Sequence, residues 1–279
     1  MPTVVRAPGS ELQALGGTRE GQAIGTIAIP TRDHVASELF LSCMLTDWSF
    51  TPPGTTVSWQ VVQGSILPAQ RNELVQRMEG DWILFIDSDM AFDPLAIGRL
   101  VATRDEFDLD IVGGLCFQRV APYQPTLYMR HGPDDGGYLF REQWDDDIVE
   151  VDGTGMAFLL IHRRVFERMV RVFENRPGFT WPPREERLKI RPPNFFRWTD
   201  GLGEDLRFCQ EAKTAGSRIW VDTRIEIQHV GSQTIDRRSF LRELATRDPE
   251  TEAARRALND TFGLPTMTAG KAREALGWR

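Results

Sequence analysis

The sequence predicts an α/β fold: a mostly parallel sheet flanked by helices, then a small antiparallel part and a helical C-terminal tail. Three observations carry that prediction. Apolar runs without polar alternation, such as residues 83–86, read as strands buried on both faces. In the first half each strand is followed by a helix and then a new strand, the order that makes parallel sheets. After Cys116 the pieces shorten into an antiparallel-looking pattern with Gly136-Gly137 as a turn.

Composition narrows the function. With 279 residues, 41% of them hydrophobic, the chain can build one large or two small domains around a real core. A formal charge of −7 argues against a protein that grips nucleic acid mainly through its phosphates, so phosphate binding would need another source of positive charge, such as a divalent metal. Cys43, Cys116 and Cys209 are widely spaced, which speaks against a disulfide framework or structural zinc and makes a reducing cytoplasm the expected setting. No apolar run approaches membrane-spanning length, so no membrane insertion is expected.

Residues 1–22 are rich in Gly, Pro and polar residues and are expected to form a flexible arm. Gly16-Gly17-Thr18-Arg19 has the composition of a phosphate loop, but it precedes a strand where such a loop should follow one. Residues 24–30 form the first strand, and Thr31-Arg32-Asp33 sits at its carboxyl end, where open α/β sheets bind ligands. Asp33 fits either a ligand contact or the cap of a helix over 35–46. A second strand over 57–63 leads to a helix beginning near Pro68 with Arg71 and Asn72 in its first turns. An arginine there opposes the helix dipole, so it either meets a phosphate or is an ordinary surface arginine.

The third strand, 83–86, stops at Asp87-Ser88-Asp89. Alternate side chains of an extended segment share a face, so both carboxylates could converge on a hard cation such as Mg²⁺ or Mn²⁺ that also holds substrate phosphates. The same tripeptide fits plain turn chemistry, in which Asp and Ser side chains bond nearby backbone. A helix over 94–103 and a strand over 110–115 complete this half. Residues 125–130 and 138–141 then read as paired strands, and Asp145-Asp146-Asp147 as a solvated turn.

A strand from 148 arrives at Gly153-Thr154-Gly155, small residues that let backbone approach a ligand or make a bend. An apolar segment over 156–161 leads to a helix with Arg163, Arg164 and Phe166. Residues 175–202 form a long loop rich in Pro and aromatics (Phe179, Trp181, Pro182, Pro183, Pro192, Pro193, Phe195, Phe196, Trp198), suited to stacking on sugar rings or to covering the core. A helix over 205–215 follows Gly203-Glu204-Asp205, with Gly216 as its end signal. Strands over 218–222 and 224–228 deliver His229, and the charged tail from 236, divided by Pro265 and Gly270, is helix-prone.

Taken in order, these pieces resemble nucleotide-sugar glycosyltransferases of the glycosyltransferase A fold, a Rossmann-like sheet, and especially the large inverting family with its bacterial and phage relatives. The resemblance covers about residues 24–231. It implies a nucleotide-sugar half over 23–117, an acceptor and catalytic half over 118–235 and an appended extension over 236–279. It also implies a divalent cation, Mn²⁺ or Mg²⁺, with Asp89 as the direct ligand, Asp87 as helper and His229 completing the site. Pro30, Thr31, Arg32, Asp33, Arg71, Asp87 and Ser88 would bind the donor, a UDP- or GDP-linked sugar. Asp205 would be the base and Glu204 an orienting or acceptor-binding group. Gly153, Thr154, Gly155 and Trp198 would face a hydroxyl acceptor, a glycan or a modified nucleobase. Thr-Arg-Asp after the first strand departs from the acidic run usual in inverting members, which leaves the base preference open, and because some retaining enzymes share this fold and metal motif without a separate base, the resemblance leaves the stereochemical course open as well. Sugar nucleotidyl transfer and a non-catalytic binding module are the alternatives.

Overall fold

Trp82–Ile86, apolar at every position and entirely buried, forms β3 inside the main sheet. The computed structural model describes residues 22–132, 137–175, 194–198, 201–231, 234–247, 249–261 and 268–275. Gly16-Gly17-Thr18-Arg19, Gly136, most of the Pro-aromatic loop (Phe179, Trp181, Pro182, Pro183, Pro192, Pro193) and Pro265 lie outside them.

The first half alternates as expected: β1 (Ala23–Thr31), α1 (Ser37–Leu45), β2 (Thr56–Gln63), α2 (Leu67–Gln76), β3, β4 (Met90–Phe92), α3 (Ala96–Phe107) and β5 (Ile111–Leu115). Then come β6 (Tyr128–Arg130), β7 (Tyr138–Phe140), β8 (Ile148–Val151), β9 (Phe158–His162), α4 (Arg163–Glu174), α5 (Glu204–Thr214) and β10 (Ile219–His229). The tail supplies α6 (Arg237–Thr246), α7 (Pro249–Thr261) and α8 (Ala269–Ala275).

The eight-stranded sheet runs β2-β1-β3-β9-β5-β10-β4, with β8 also paired to β10. β2, β1, β3, β5 and β10 point one way, while β9, β4 and β8 point the other. β6 and β7 form the separate antiparallel pair. One core layer joins Leu74 of α2, Val165 of α4, Phe208 of α5 and Phe240 of α6 to one face of the sheet. The other joins Leu39 of α1 with Ile97 and Leu100 of α3 to the opposite face.

Three features differ from the sequence expectation. Residues 90–92, expected as a connection, form β4, because Met90 and Phe92 bury their side chains beside Ile227. The two strands expected over 218–228 are one, β10, whose register to β5 slips between Asp222 and Glu226. Gly114 faces that irregularity: a Cβ there would lie 2.8 Å from Ile227 Cγ1 and 3.1 Å from the Ile225 carbonyl, so its missing side chain makes room for the strand to bend. Arg71, if read as an ordinary surface arginine, is also corrected: it is buried.

Candidate active site

Because β1, β3, β5 and β10 run in one direction, their carboxyl ends share one edge of the sheet. That edge gathers the segment after Thr31, the turn at Asp87-Ser88-Asp89, the segment after Leu115 and His229.

The acidic turn is fastened through its backbone. Asp87 N–H donates to the Ala157 carbonyl at 3.0 Å, Ala36 N–H to Ser88 O at 2.8 Å and Val230 N–H to Asp89 O at 2.8 Å. The side chains of Asp87 and Asp89 instead each pair with an arginine. Arg71 Nη2 donates to Asp87 Oδ1 at 2.8 Å, and Arg119 Nη2 pairs with Asp89 Oδ2.

Arg71 is 2% exposed and donates through Nη1 to Glu204 Oε1 as well. One buried guanidinium therefore ties α2, the end of β3 and the start of α5, and its two carboxylates offset its unfavourable place in the helix dipole. Asn72 in the next position pins residues 194–198: its Nδ2 donates to Phe196 O at 2.7 Å and its Oδ1 accepts from Phe196 N at 3.1 Å. Trp198, 61% exposed, stands two residues on.

Asp205 follows Glu204 in the first turn of α5. Its Oδ1 accepts the Leu206 amide at 2.8 Å. Loss of water raises its carboxyl above the ordinary range, the neighbouring Glu204 adds to the rise, and the Leu206 amide and Arg71 oppose it. The phenols of Tyr128 and Tyr138 feel the Asp205 charge, though burial is the main reason both are pushed up to about 12. Gln118 Nε2 donates to the Tyr128 hydroxyl at 3.4 Å.

Gly153 and Thr154 lie buried beneath α5: a Cβ on Gly153 would come within 2.7 Å of Leu206, and the Thr154 carbonyl faces Cys209 Sγ at 3.6 Å. They seat the helix that carries Asp205. Gly155 is half-buried. At the first strand, Pro30 and Thr31 are buried, Gln70 Nε2 donates to Thr31 O at 2.5 Å, and Thr31 Oγ1 donates to His34 O at 2.7 Å. Arg32 and Asp33 project into solvent, paired at 3.8 Å. Asp145-Asp146-Asp147 is an exposed turn, as expected.

His229 ends β10 opposite Met90, next to the acidic turn. Burial first, and then the charge of Arg119, lower its pKa, while the Asp87 charge opposes them. Among the described residues its buried Nδ1 has no hydrogen-bond partner. Among the described residues no three His, Cys, Asp or Glu side chains stand close enough to hold an ion unaided. Mg²⁺ and Mn²⁺ commonly take one or two carboxylates and complete their shells with substrate phosphates, and the acidic turn supplies carboxylates of that chemistry.

The sequence reading missed Arg119, Tyr128 and Tyr138. Arg119 carried a signal, since it lies four residues beyond β5 at the same sheet edge as Asp87. Among the described residues no helix is long and apolar enough to cross a membrane.

A comparison with curated proteins found no match. Among solved structures the chain is similar to A197 from STIV, at 15% identity with a TM-score of 0.46 over 76% of this chain and 93% of that one. It is also similar to S. aureus TarS 1-349 in complex with UDP, at 16% identity and a TM-score of 0.43 over 79% of this chain, and spans 63% of the TarS chain. The complex of TarS 1-349 with UDP-GlcNAc gives 16% identity and a TM-score of 0.42. Residues 62–170 match the sequence model described as Glycosyl transferase family 2. That stretch carries Arg71, Asp87, Asp89, Arg119 and the Gly153-Thr154-Gly155 segment, while Glu204, Asp205 and His229 lie beyond it.

Proposed function

We propose that the protein moves a sugar from a nucleoside-diphosphate donor, UDP- or GDP-linked, to a hydroxyl group of an acceptor, with inversion at the sugar carbon. The observation that carries this reading is the joining of Asp87 and Glu204 by the buried Arg71, which brings a donor-side carboxylate and the acidic start of α5 to one site. The match of residues 62–170 to Glycosyl transferase family 2 supports the class of reaction.

Thr31, Arg32, Asp33 and Ser88, with Pro30 behind them, lie on the nucleotide side. Asp89, helped by Asp87 and His229, would hold a Mn²⁺ or Mg²⁺ ion, which when bound neutralises charge on the departing diphosphate. Asp205 is the base. Its carboxylate takes the proton of the acceptor hydroxyl, the freed oxygen forms a bond to the sugar carbon, and the bond from that carbon to the diphosphate breaks with its electron pair leaving on the diphosphate. Arg71 Nη1 donates to Glu204 Oε1, so the Glu204 carboxyl group is oriented by the guanidinium. Trp198, Tyr138 and Gly155 lie on the acceptor side, where an exposed ring offers a face for a sugar.

The test is release of nucleoside diphosphate from a panel of UDP- and GDP-sugars, with and without Mn²⁺, by the wild type, Asp89→Ala and Asp205→Asn. Turnover by the wild type that falls at least a hundredfold in both variants is expected. Undiminished turnover by Asp205→Asn would remove the base from this scheme, and pyrophosphate release from a nucleoside triphosphate would replace it with nucleotidyl transfer.

A further inference from the structure

The two aspartates of the acidic turn are held by arginines of opposite character. Arg71 is 2% exposed and fixed between two carboxylates. Arg119 is 60% exposed and reaches Asp89, 21% exposed, from the segment after β5. Exposed ion pairs of this kind have little net worth and exchange readily, whereas the buried one cannot.

The base of Arg119 is fixed even though its head is exposed. Gln118 N–H donates to the Gln124 carbonyl at 2.8 Å, Tyr123 N–H to Val120 O at 2.9 Å, and Phe117, bridged to Pro125, is buried and stacked on Phe240 with ring centroids 5.7 Å apart. The backbone thus holds the residue at the sheet edge, while its side chain is 60% exposed. Its guanidinium pairs with Asp89 Oδ2, one of the two oxygens that carboxylate could offer a divalent cation, and its charge is felt at His229. Two cations drawn to one carboxylate repel each other, so each weakens the other's hold on it. A guanidinium, however, makes paired hydrogen bonds to phosphate oxygens as well as to carboxylates.

We propose that Arg119 is an exchangeable counter-charge, which holds Asp89 while no donor is bound and moves to the donor's diphosphate when one arrives, leaving Asp89 for the divalent cation. The inference rests on the glycosyl-transfer reading of the site. It makes Arg119 a donor-binding residue with two opposite effects, one on the metal alone and one on the nucleotide.

Those signs give the test. Mn²⁺ binding to the protein without nucleotide is followed by the electron paramagnetic resonance signal of free Mn²⁺, and binding of UDP and GDP in saturating Mn²⁺ by calorimetry. Arg119→Ala should bind Mn²⁺ alone about three- to tenfold more tightly than the wild type, because the competing cation is gone. It should bind the preferred nucleoside diphosphate at least about tenfold more weakly, because a charge-assisted contact is lost. Arg119→Lys should restore part of both effects. If Arg119→Ala binds Mn²⁺ no more tightly, or holds the diphosphate as well as the wild type does, the exchange is wrong while the transferase reading stands. A wild type that binds neither Mn²⁺ nor either diphosphate overturns both.

Discussion

Asp205 loses water on entering the fold and keeps Glu204 beside it, and both raise its carboxyl above the value it has in the unfolded chain. A carboxyl raised by folding lowers stability once it is ionised, and that loss develops as pH climbs from the unfolded value through the folded one. Asp205→Asn is therefore expected to be more stable than the wild type at pH 7 and to approach it as pH falls below the carboxylate range, as urea melts from about pH 2.5 to pH 8 would show. The same substitution should reduce turnover by about 10²–10⁴, the range for loss of a general base. A residue kept only for packing would not gain stability while losing activity. Arg71 has the opposite signature. Arg71→Met leaves Asp87 and Glu204 without their shared guanidinium and should lower stability by about 3 kcal/mol in urea melts, the lower end for breaking a buried pair because Asp87 is partly wet. Arg71→Lys should recover little, since a lysine cannot donate in two fixed directions as a guanidinium does.

At the scale of elements, β10 decides the site because it delivers His229 to the acidic turn only after bending past Gly114. Gly114→Ala should lower stability by about 1–3 kcal/mol, the range for overpacking, and should weaken Mn²⁺-dependent nucleotide binding more than Gly155→Ala, whose Cβ would meet only ordinary contacts near Thr126. Much of this architecture was legible in the sequence. β1, β2, β3 and β5 and the helices between them were readable within a few residues, because their apolar runs and spacing are long enough to be unambiguous. The bend in β10 was not legible, since Thr223, read locally, separates two short strands that the fold makes one, with a register to β5 that slips between Asp222 and Glu226. The same limit applied to the site. Asp87, Asp89, Glu204 and His229 could be chosen by motif and order, but the burial of Arg71 and the reach of Arg119 follow from contacts between distant segments that no local pattern encodes.

At the scale of the whole molecule, the tail belongs to the core. Phe240, Leu241 and Leu244 of α6 are buried, and Phe240 stacks on Phe117 at the base of the segment that carries Arg119. Beyond α6, Arg247 Nη1 donates to the buried Glu142 at 3.2 Å, and Gln124 Nε2 donates to the same carboxylate at 2.8 Å. Ligand binding should therefore be felt as stability of the entire chain. At a hundred times Kd a ligand that binds only the folded state adds about 2.7 kcal/mol. For a chain of this size that corresponds to a rise in Tm of about 5 °C, since each kcal/mol moves the midpoint by about 2–4 °C in domains of 150–250 residues and by less in larger ones. UDP or GDP with Mn²⁺ should produce that rise in a thermal scan, and a chelator should remove most of it. Asp89→Ala should lose the Mn²⁺-dependent part, whereas Asp205→Asn, which touches the proton of the acceptor and not the diphosphate, should keep it in full. An Asp89→Ala protein with an undiminished Mn²⁺-dependent shift would move the metal away from the acidic turn, and equal losses in both variants would mean that donor binding and proton removal are not divided between β3 and α5.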